Sequence, residues 1–245
     1  MMRKLLWILY QPYKWLIFTP LLGLSGMIFA IIAIVLAITV SPKAGSLVGG
    51  IGWSRFSSFF TPMTVSVFGL ENIDRKQSYV VISNHQSHYD IFVMYGWLKM
   101  DLKWVMKKEL RKIPFIGYAC EKVGHIIIDR SDRKKAIQEL NAAKKNIVNG
   151  TSVMFFPEGT RSKDGSIAPF KKGAFVLALQ LGLPILPVTI NGTRKILASG
   201  TMNLLPGHAE AIVHPPIDTT GYTENNLNEL IEHSRGIISA SFKSQ

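Results

Sequence analysis

The feature that most constrains this chain is a long uncharged apolar segment near its amino terminus. No charged residue occurs from residue 15 to residue 42, and residues 27–40 are almost entirely Ile, Ala, Leu and Val. A helix of this length could cross the roughly 30 Å hydrocarbon core of a bilayer. The run is too long for the apolar region of a secretory signal, and residues 41–43 form a poor cleavage context. The chain is therefore expected to be bound to a membrane.

Basic residues flank the apolar segment on both sides. They are Arg3, Lys4, Lys14, Lys43 and Arg55. Because positively charged flanks favour the cytoplasmic side, a single span cannot satisfy both. Pro20 separates an aromatic first part, suited to the interface, from an aliphatic second part. We expect a bent helical pair lying in one leaflet at the cytoplasmic face of the cell membrane, with a single span as the competing arrangement.

Composition narrows the possible partners. The 245 residues include 28 Lys and Arg against 16 Asp and Glu, a net charge of +12, and 47% of them are hydrophobic. Nucleic-acid binders are rarely so apolar, so this balance favours anionic membrane lipids and predicts no nucleic-acid partner. Cys120 is the only cysteine, which excludes an intramolecular disulfide and suits the cytoplasm. We expect it to fill the core without a catalytic role.

Beyond residue 60 the pattern changes to short β-rich runs separated by stretches long enough for helices. The predicted strands are 64–68, 79–83, 103–106, 125–128, 152–156, 185–190 and 209–214. This alternation predicts an α/β fold with a mostly parallel sheet of about seven strands wrapped by helices. An amphipathic helix over 223–242 should close the fold. Glycines at 45, 49, 50 and 52 suggest a flexible boundary, dividing the chain into a membrane-associated helical segment (1–60) and a catalytic domain (61–245).

Polar residues follow one predicted strand directly, at residues 83–90. In a parallel sheet the carboxyl ends of the strands bind ligands. His85 and Asp90 should lie in the turn that enters the next helix. There the carboxylate can accept the Nδ1–H of the imidazole and leave Nε2 aimed at a substrate proton. By itself, however, this spacing also fits a capped helix with two surface histidines.

Two further strand ends carry charge. In Phe-Pro-Glu-Gly-Thr-Arg, residues 156–161, Arg161 can grip a phosphate through two hydrogen bonds and Gly159 allows close backbone approach. Lys171 and Lys172 follow and add positive potential. A third run, residues 124–130, ends in an Asp-Arg pair. Taken singly, each also fits an exposed turn, but together they should converge on one edge of the sheet.

These blocks, in this order and followed by Leu-Pro-Val at 186–188, resemble the four motif blocks of the glycerolipid acyltransferases. The resemblance spans residues 63–215. It implies transfer of an acyl group from acyl-ACP or acyl-CoA to the sn-2 hydroxyl of lysophosphatidic acid, giving phosphatidic acid. It implies His85 as catalytic base with Asp90 as its partner. The substrate-binding residues that it implies are Arg130, Glu158, Gly159, Thr160, Arg161, Lys171 and Pro187. His125 departs from the family pattern, where no particular residue is expected.

The chemistry needs little beyond a base, because a thioester already has a good leaving group. We expect proton removal by histidine and no acyl-enzyme, and no Gly-x-Ser-x-Gly elbow occurs. No cofactor motif occurs either, so no cofactor is expected. Residues 99–145 hold 13 Lys and Arg and 6 Asp and Glu, a local charge of 13 − 6 = +7, which suits an acidic donor.

Other interpretations remain open at this stage. Glycerol 3-phosphate or another lysolipid could be the acceptor. His85, His88 and Asp90 could instead hold a metal in a membrane-associated hydrolase. That interpretation leaves the block at 156–161 without a purpose, so no metal is expected. A basic protein that only coats anionic lipid would need neither His85 nor Asp90.

Overall fold

Seven strands form one sheet in the computed structural model, which describes residues 2–129 and 132–244. The strands are β1 (Met63–Phe68), β2 (Val80–Ser83), β3 (Asp101–Lys107), β4 (Ile126–Ile128), β5 (Thr151–Phe155), β6 (Ile185–Asn191) and β7 (Gly207–Val213). Their order is β1-β7-β6-β2-β5-β3-β4. The prediction of a mostly parallel, seven-stranded α/β sheet is confirmed.

The sheet contains one reversal of direction. Strands β2 to β6 are mutually parallel, so their carboxyl ends meet at one edge, which we call the carboxyl rim. Strand β7 pairs with β6 in the antiparallel sense, and β1 is parallel to β7. Both β1 and β7 therefore begin at the carboxyl rim.

Helices cover both faces of the sheet. They are α1 (Met2–Tyr13), α2 (Thr19–Thr39), α3 (Pro42–Gly45), α4 (Ile51–Phe60), α5 (Tyr89–Leu98), α6 (Ile116–Lys122), α7 (Arg133–Ala143), α8 (Gly173–Leu181), α9 (Thr193–Ile196) and α10 (Leu227–Ser241). Successive side chains of β2 point to opposite faces, as in any strand. Val81 packs into the core beneath α5, whereas Val80 and Ile82 pack with α8 and α10. Helix α10 occupies the position expected for the closing helix.

The amino-terminal helix is continuous through Pro20, so the expected division at that residue is wrong. A π-helical turn at Lys14–Phe18 joins α1 to α2. Both the N–H and the hydroxyl of Thr19 donate to the Lys14 carbonyl, five residues back. Pro20 stands at the second position of α2, where its missing N–H is tolerated. One helix, residues 7–39, is long and apolar enough to cross a membrane.

The chain reverses at residues 40–41 and returns through α3, a second π-helical turn and α4. We call residues 2–60 the N-terminal hairpin. The glycines expected to form a flexible boundary lie inside its returning limb. A side chain at Gly45 or Gly49 would collide with Ala33, and one at Gly52 with Phe29. These glycines therefore let the two limbs pack closely, so the flexible boundary is a wrong prediction. Helix α4 ends at Phe60, two residues before β1 begins.

Candidate active site

The site begins where β2 ends. Asn84 extends the pairing of β2 with β6 through its side chain. Its amide donates to the Ile190 carbonyl and its oxygen accepts the Ile190 N–H, each at 2.8 Å. Because Asn84 is fully buried and bonded on both sides, the backbone of the next residue is fixed. That residue is His85, at the carboxyl rim.

His85 and Asp90 contact each other directly. The Nδ1 atom of His85 lies 2.8 Å from Oδ2 of Asp90, whose side chain is fully buried. The same oxygen accepts the backbone N–H groups of Gln86 at 2.7 Å and Ser87 at 2.9 Å. The carboxylate also lies in the first turn of α5, where the helix dipole favours negative charge. Since a carboxylate accepts, Nδ1 carries the proton, and Nε2 is left as a proton acceptor facing away from Asp90.

Thr193 completes the shell of Asp90. Its hydroxyl lies 2.5 Å from Oδ1 of Asp90. Thr193 begins α9, after β6, and is 103 residues further along the chain than Asp90. Both carboxylate oxygens of Asp90 therefore accept hydrogen bonds from the protein, an arrangement that orients the imidazole. Within residues 2–129 and 132–244, no group of three His, Cys, Asp or Glu side chains is arranged to hold a metal ion.

The ring of Phe156 stacks on the imidazole of His85. The centroids are 3.7 Å apart and the planes are tilted by only 6°. Trp104 packs behind Phe156, with ring centroids 5.9 Å apart. The hydrogen bond to Asp90 restrains the imidazole at one edge, and the stack restrains its plane. Only 14% of the His85 side chain is exposed.

Glu158 ties the two motif loops together. One carboxylate oxygen accepts the backbone N–H of His85 at 2.7 Å, and the other accepts that of Ala168 at 2.9 Å. The side chain is buried, and this burial raises the pKa of the carboxyl group, while the two N–H donors act in the opposite direction. The sequence placed Glu158 among the substrate ligands. In the structure its two oxygens bind protein backbone.

The remaining residues of this loop bring positive charge to the rim. Gly159 has a left-handed φ of 78°, and a side chain there would come within 2.6 Å of the Lys171 Nζ. The Lys171 ammonium thus lies over the loop, and Thr160 beside it is exposed. Partial burial lowers the pKa of His88, and the nearby charge of Arg161 lowers it further. Arg161 and Lys171 therefore flank the loop that carries the exposed hydroxyl.

Pro187 does not join this group, and Arg130 lies outside the described residues. Pro187 lies in the middle of β6, paired with Ile82, and its carbonyl accepts the His214 N–H at 3.0 Å. It is buried in the sheet three residues below the level of His85. Its place in the structure is that of a core residue.

His125, the departure from the family pattern, has a structural partner. Its Nε2 lies 2.7 Å from the Tyr95 hydroxyl on α5, and its Nδ1 accepts the Trp104 N–H at 3.4 Å. Burial, and secondarily the charge of Lys103, lower the pKa of His125 to about 3. The neutral imidazole thus links β4 to α5 and to the tryptophan that supports Phe156.

A cavity of about 810 Å³ lies between α1 and the rim ends of β6 and β7, and His85 is not among the residues that line it. Leu9, Tyr10, Gly192 and Gly207 are among its lining residues. Gly192 directly precedes Thr193, the residue that contacts Asp90.

A buried carboxylate that orients an imidazole at the carboxyl rim of an α/β sheet defines a class of enzymes that use histidine as a general base. A family model described as Acyltransferase matches residues 64–191. The solved structure of the 1-acyl-sn-glycerophosphate (LPA) acyltransferase PlsC from Thermotoga maritima is similar, with a TM-score of 0.81 and 27% identity. That likeness covers 97% of this chain and 95% of the other.

Two curated relatives are also named as 1-acyl-sn-glycerol-3-phosphate acyltransferases. The 1-acyl-sn-glycerol-3-phosphate acyltransferase of Pseudomonas aeruginosa is 30% identical over 94% of this chain and 90% of its own length. The chloroplastic 1-acyl-sn-glycerol-3-phosphate acyltransferase BAT2 of Brassica napus is 40% identical over 61% of this chain. The match spans only 44% of the Brassica protein's length. The chain belongs to the acyltransferase family.

Proposed function

We propose that this protein transfers a fatty acyl group from a thioester to the sn-2 hydroxyl of lysophosphatidic acid, giving phosphatidic acid. The observation that carries the proposal is the 2.8 Å contact of His85 with the buried Asp90, which leaves Nε2 at the rim as a base. The names of the relatives from Pseudomonas and Thermotoga support this acceptor.

The reaction proceeds without a covalent enzyme intermediate. Nε2 of His85 removes the proton of the acceptor hydroxyl as its oxygen attacks the thioester carbonyl carbon. Asp90 stabilises the imidazolium that forms, through the hydrogen bond to Nδ1. The tetrahedral intermediate then collapses, the C–S bond breaks, and the thiolate takes the proton back from Nε2. The ester and a free thiol leave, and His85 is neutral again.

The acceptor phosphate binds over the loop at 159–161. Arg161 offers a planar fork that matches two phosphate oxygens, and the Lys171 ammonium lies above Gly159. Thr160 adds an exposed hydroxyl donor. Glu158 acts indirectly, since its two bonds fix the phosphate loop to the backbone of His85. Arg130 adds a further phosphate contact, by the family resemblance alone.

The N-terminal hairpin lies in one leaflet at the cytoplasmic face. Helix α2 packs against α6. Gly26 of α2 lies beside Ile116 at the start of α6. Further along, Ala33 packs in one cluster with Ala119 and Val123. If α2 spanned the bilayer, α6 and its charged residues would enter the hydrocarbon with it, at about 2.5–3.5 kcal/mol for each basic or acidic side chain near the centre. An in-plane hairpin avoids this cost, because its exposed outer face, including Leu24, alone contacts the acyl chains.

Acyl-ACP and acyl-CoA are both candidate donors, and the basic stretch at 99–145 attracts either. Part of the positive charge of this stretch is paired with acidic side chains of the protein itself. Lys103 is buried against Asp101 at 2.7 Å, and Lys108 pairs with Asp129 at 2.6 Å. The cations left at the surface are those available to an acidic donor.

A panel assay tests the proposal. The purified protein would be offered lysophosphatidic acid, glycerol 3-phosphate and lysolipids with other head groups, each with acyl-ACP and with acyl-CoA. Lipid mass spectrometry should show phosphatidic acid from lysophosphatidic acid, and none from a His85→Ala control. Preferential acylation of glycerol 3-phosphate or another head group would overturn the acceptor assignment. Phosphatidic acid formed equally well by the control would overturn the role of His85.

A further inference from the structure

A second apolar surface lies beside the N-terminal hairpin. It is formed by residues 107–118, which leave the carboxyl end of β3, make a 3-10 turn at Lys108–Lys112 and enter α6. We call this segment the rim loop. Its large apolar side chains are unusually exposed for a catalytic domain: Leu110 by 37%, Ile113 by 40%, Phe115 by 49% and Tyr118 by 49%. Clustered exposure of this kind marks an interaction surface.

Phe115 occupies a strained position. Its φ of 60° lies in a region that bulky residues rarely adopt, and its side chain is half exposed. An exposed phenylalanine gains little burial within the protein to offset such strain, which is found mainly at functional segments. The strain and the exposure together mark Phe115 as part of an interaction surface.

The rim loop is continuous with the face proposed to enter the membrane. Ile116, directly after Phe115, lies 3.6 Å from the position of a side chain at Gly26 of α2. The outer face of α2 exposes large apolar residues on both sides of this level, among them Leu24, Met27 and Ile28. The exposed side chains of the rim loop therefore adjoin those of the hairpin.

Its charge fits an anionic surface. Residues 107–118 contain four basic residues and one acidic residue, a net charge of 4 − 1 = +3. Lys108 and Arg111 have acidic partners, whereas Lys107 and Lys112 form no ion pair within residues 2–129 and 132–244. Basic residues interleaved with exposed apolar ones are typical of segments that lie among lipid headgroups.

We infer that the rim loop is a second membrane contact, which enters the headgroup region of an anionic bilayer beside the N-terminal hairpin. The inference rests on the proposed in-plane position of the hairpin. A hairpin lying in the plane can roll about its own axis, and a lateral contact prevents this. The loop thereby fixes the tilt of the carboxyl rim, so that His85 faces the lipid surface.

Depth-dependent quenching tests the contact directly. A fluorophore would be attached to Ile113→Cys, and in a matched protein to Phe68→Cys, both in Cys120→Ser protein. Phe68 is 54% exposed and ends β1, at the edge of the sheet opposite the carboxyl rim. In vesicles of phosphatidylethanolamine and phosphatidylglycerol with brominated acyl chains, the label at 113 should be quenched and the label at 68 should not. Equal quenching at both positions, or none at 113, overturns the inference.

Activity in two media separates the membrane from the acyl donor as the occupant. Leu110→Asn with Phe115→Asn should lower the kcat/KM for lysophosphatidic acid in vesicles roughly tenfold, the size expected for losing two partly inserted apolar side chains. Activity in detergent micelles should stay within about twofold of the wild type, and Phe68→Asn should change neither. A raised donor KM in both media would show that the loop binds the carrier protein or coenzyme A, and would overturn the membrane role. Wild-type protein that is inactive on every lysolipid refutes the proposed function, while the quenching result stands by itself.

Discussion

The stacking of Phe156 on His85 predicts an effect on kcat that a phenylalanine needed only for folding would not have. Phe156→Leu keeps most of the apolar volume but removes the aromatic face that lies 3.7 Å from the imidazole. Aromatic pairs contribute about 0.5–1.5 kcal/mol beyond the area that they bury. If that interaction holds the base in its reactive orientation, kcat should fall by roughly two- to twelvefold. The KM for the acceptor should change little, since Phe156 is not placed at the phosphate.

The neighbouring residue provides a matched control. Phe155 ends β5 and packs into the core on the opposite face of the sheet, whereas Phe156 packs with the core beneath α5. Phe155→Leu should therefore lower the melting temperature without a selective loss of kcat. Phe156→Tyr keeps the aromatic face and should restore most of the rate.

The assay is steady-state kinetics in detergent micelles, with the melting temperature of each variant measured in parallel. NMR of the His85 ring protons provides an independent signature, because protons above an aromatic face resonate upfield. That shift should disappear in Phe156→Leu and persist in Phe155→Leu. If both leucine variants lose kcat equally, or if the tyrosine variant recovers nothing, Phe156 does not position the base.

Three further outcomes are expected. His85→Ala should lose at least the 10²–10⁴-fold typical of a general base while keeping its circular dichroism spectrum, and more than about a tenth of wild-type turnover would contradict that role. Arg161→Lys keeps the charge but loses the planar fork, so the acceptor KM should rise more than the donor KM in the same kinetic assay. Because the folded-state pKa of His125 is lowered to about 3, the unfolded chain binds a proton there between about pH 6.5 and pH 3 that the folded chain does not. Stability should therefore fall as the pH drops through that window, and thermal melts of His125→Gln should show a shallower fall than those of the wild type.

The strands were predictable because their apolar runs are short, regularly spaced and bounded by polar residues. All seven were found within about two residues, and the central strands β2 and β6 are buried over their whole length, as expected for strands covered on both faces. The N-terminal segment was harder. Glycines at 45–52 suggest flexibility in isolation, but against Ala33 and Phe29 they permit close helix packing. Pro20 suggests a break, but a proline at the second helical position is tolerated. The outcome at the glycines depends on a packing partner that the local sequence does not reveal, and the outcome at Pro20 depends on where the helix begins.

In the same way, the site could be located but not completed from the sequence. His85 and Asp90 are five residues apart, so one turn brings them together. Thr193, whose hydroxyl contacts Asp90, is 103 residues away from it in sequence. Glu158, which contacts the backbone of His85, is 73 residues away in sequence. A Gly-Thr pair directly after an apolar strand was the available signal for Thr193, because it marks another strand end at the carboxyl rim. For Glu158, the position in the motif indicated importance, but only the two backbone contacts suggest the proposed role of fixing the loop.

The reversal in the sheet brings one end of the N-terminal hairpin and His85 to the same edge, as the proposed function requires. Because β1 runs opposite to β2, the end of α4 at Phe60 lies at the carboxyl rim. Tyr13 of α1 donates to the Phe60 carbonyl at 2.7 Å, which holds the first limb of the hairpin at that edge too. If all seven strands were parallel, the hairpin would join the sheet at the opposite edge. A lysolipid would then have to leave the bilayer and travel the length of a strand to reach His85. With the observed topology, its acyl chain can stay among the lipids while its hydroxyl approaches Nε2.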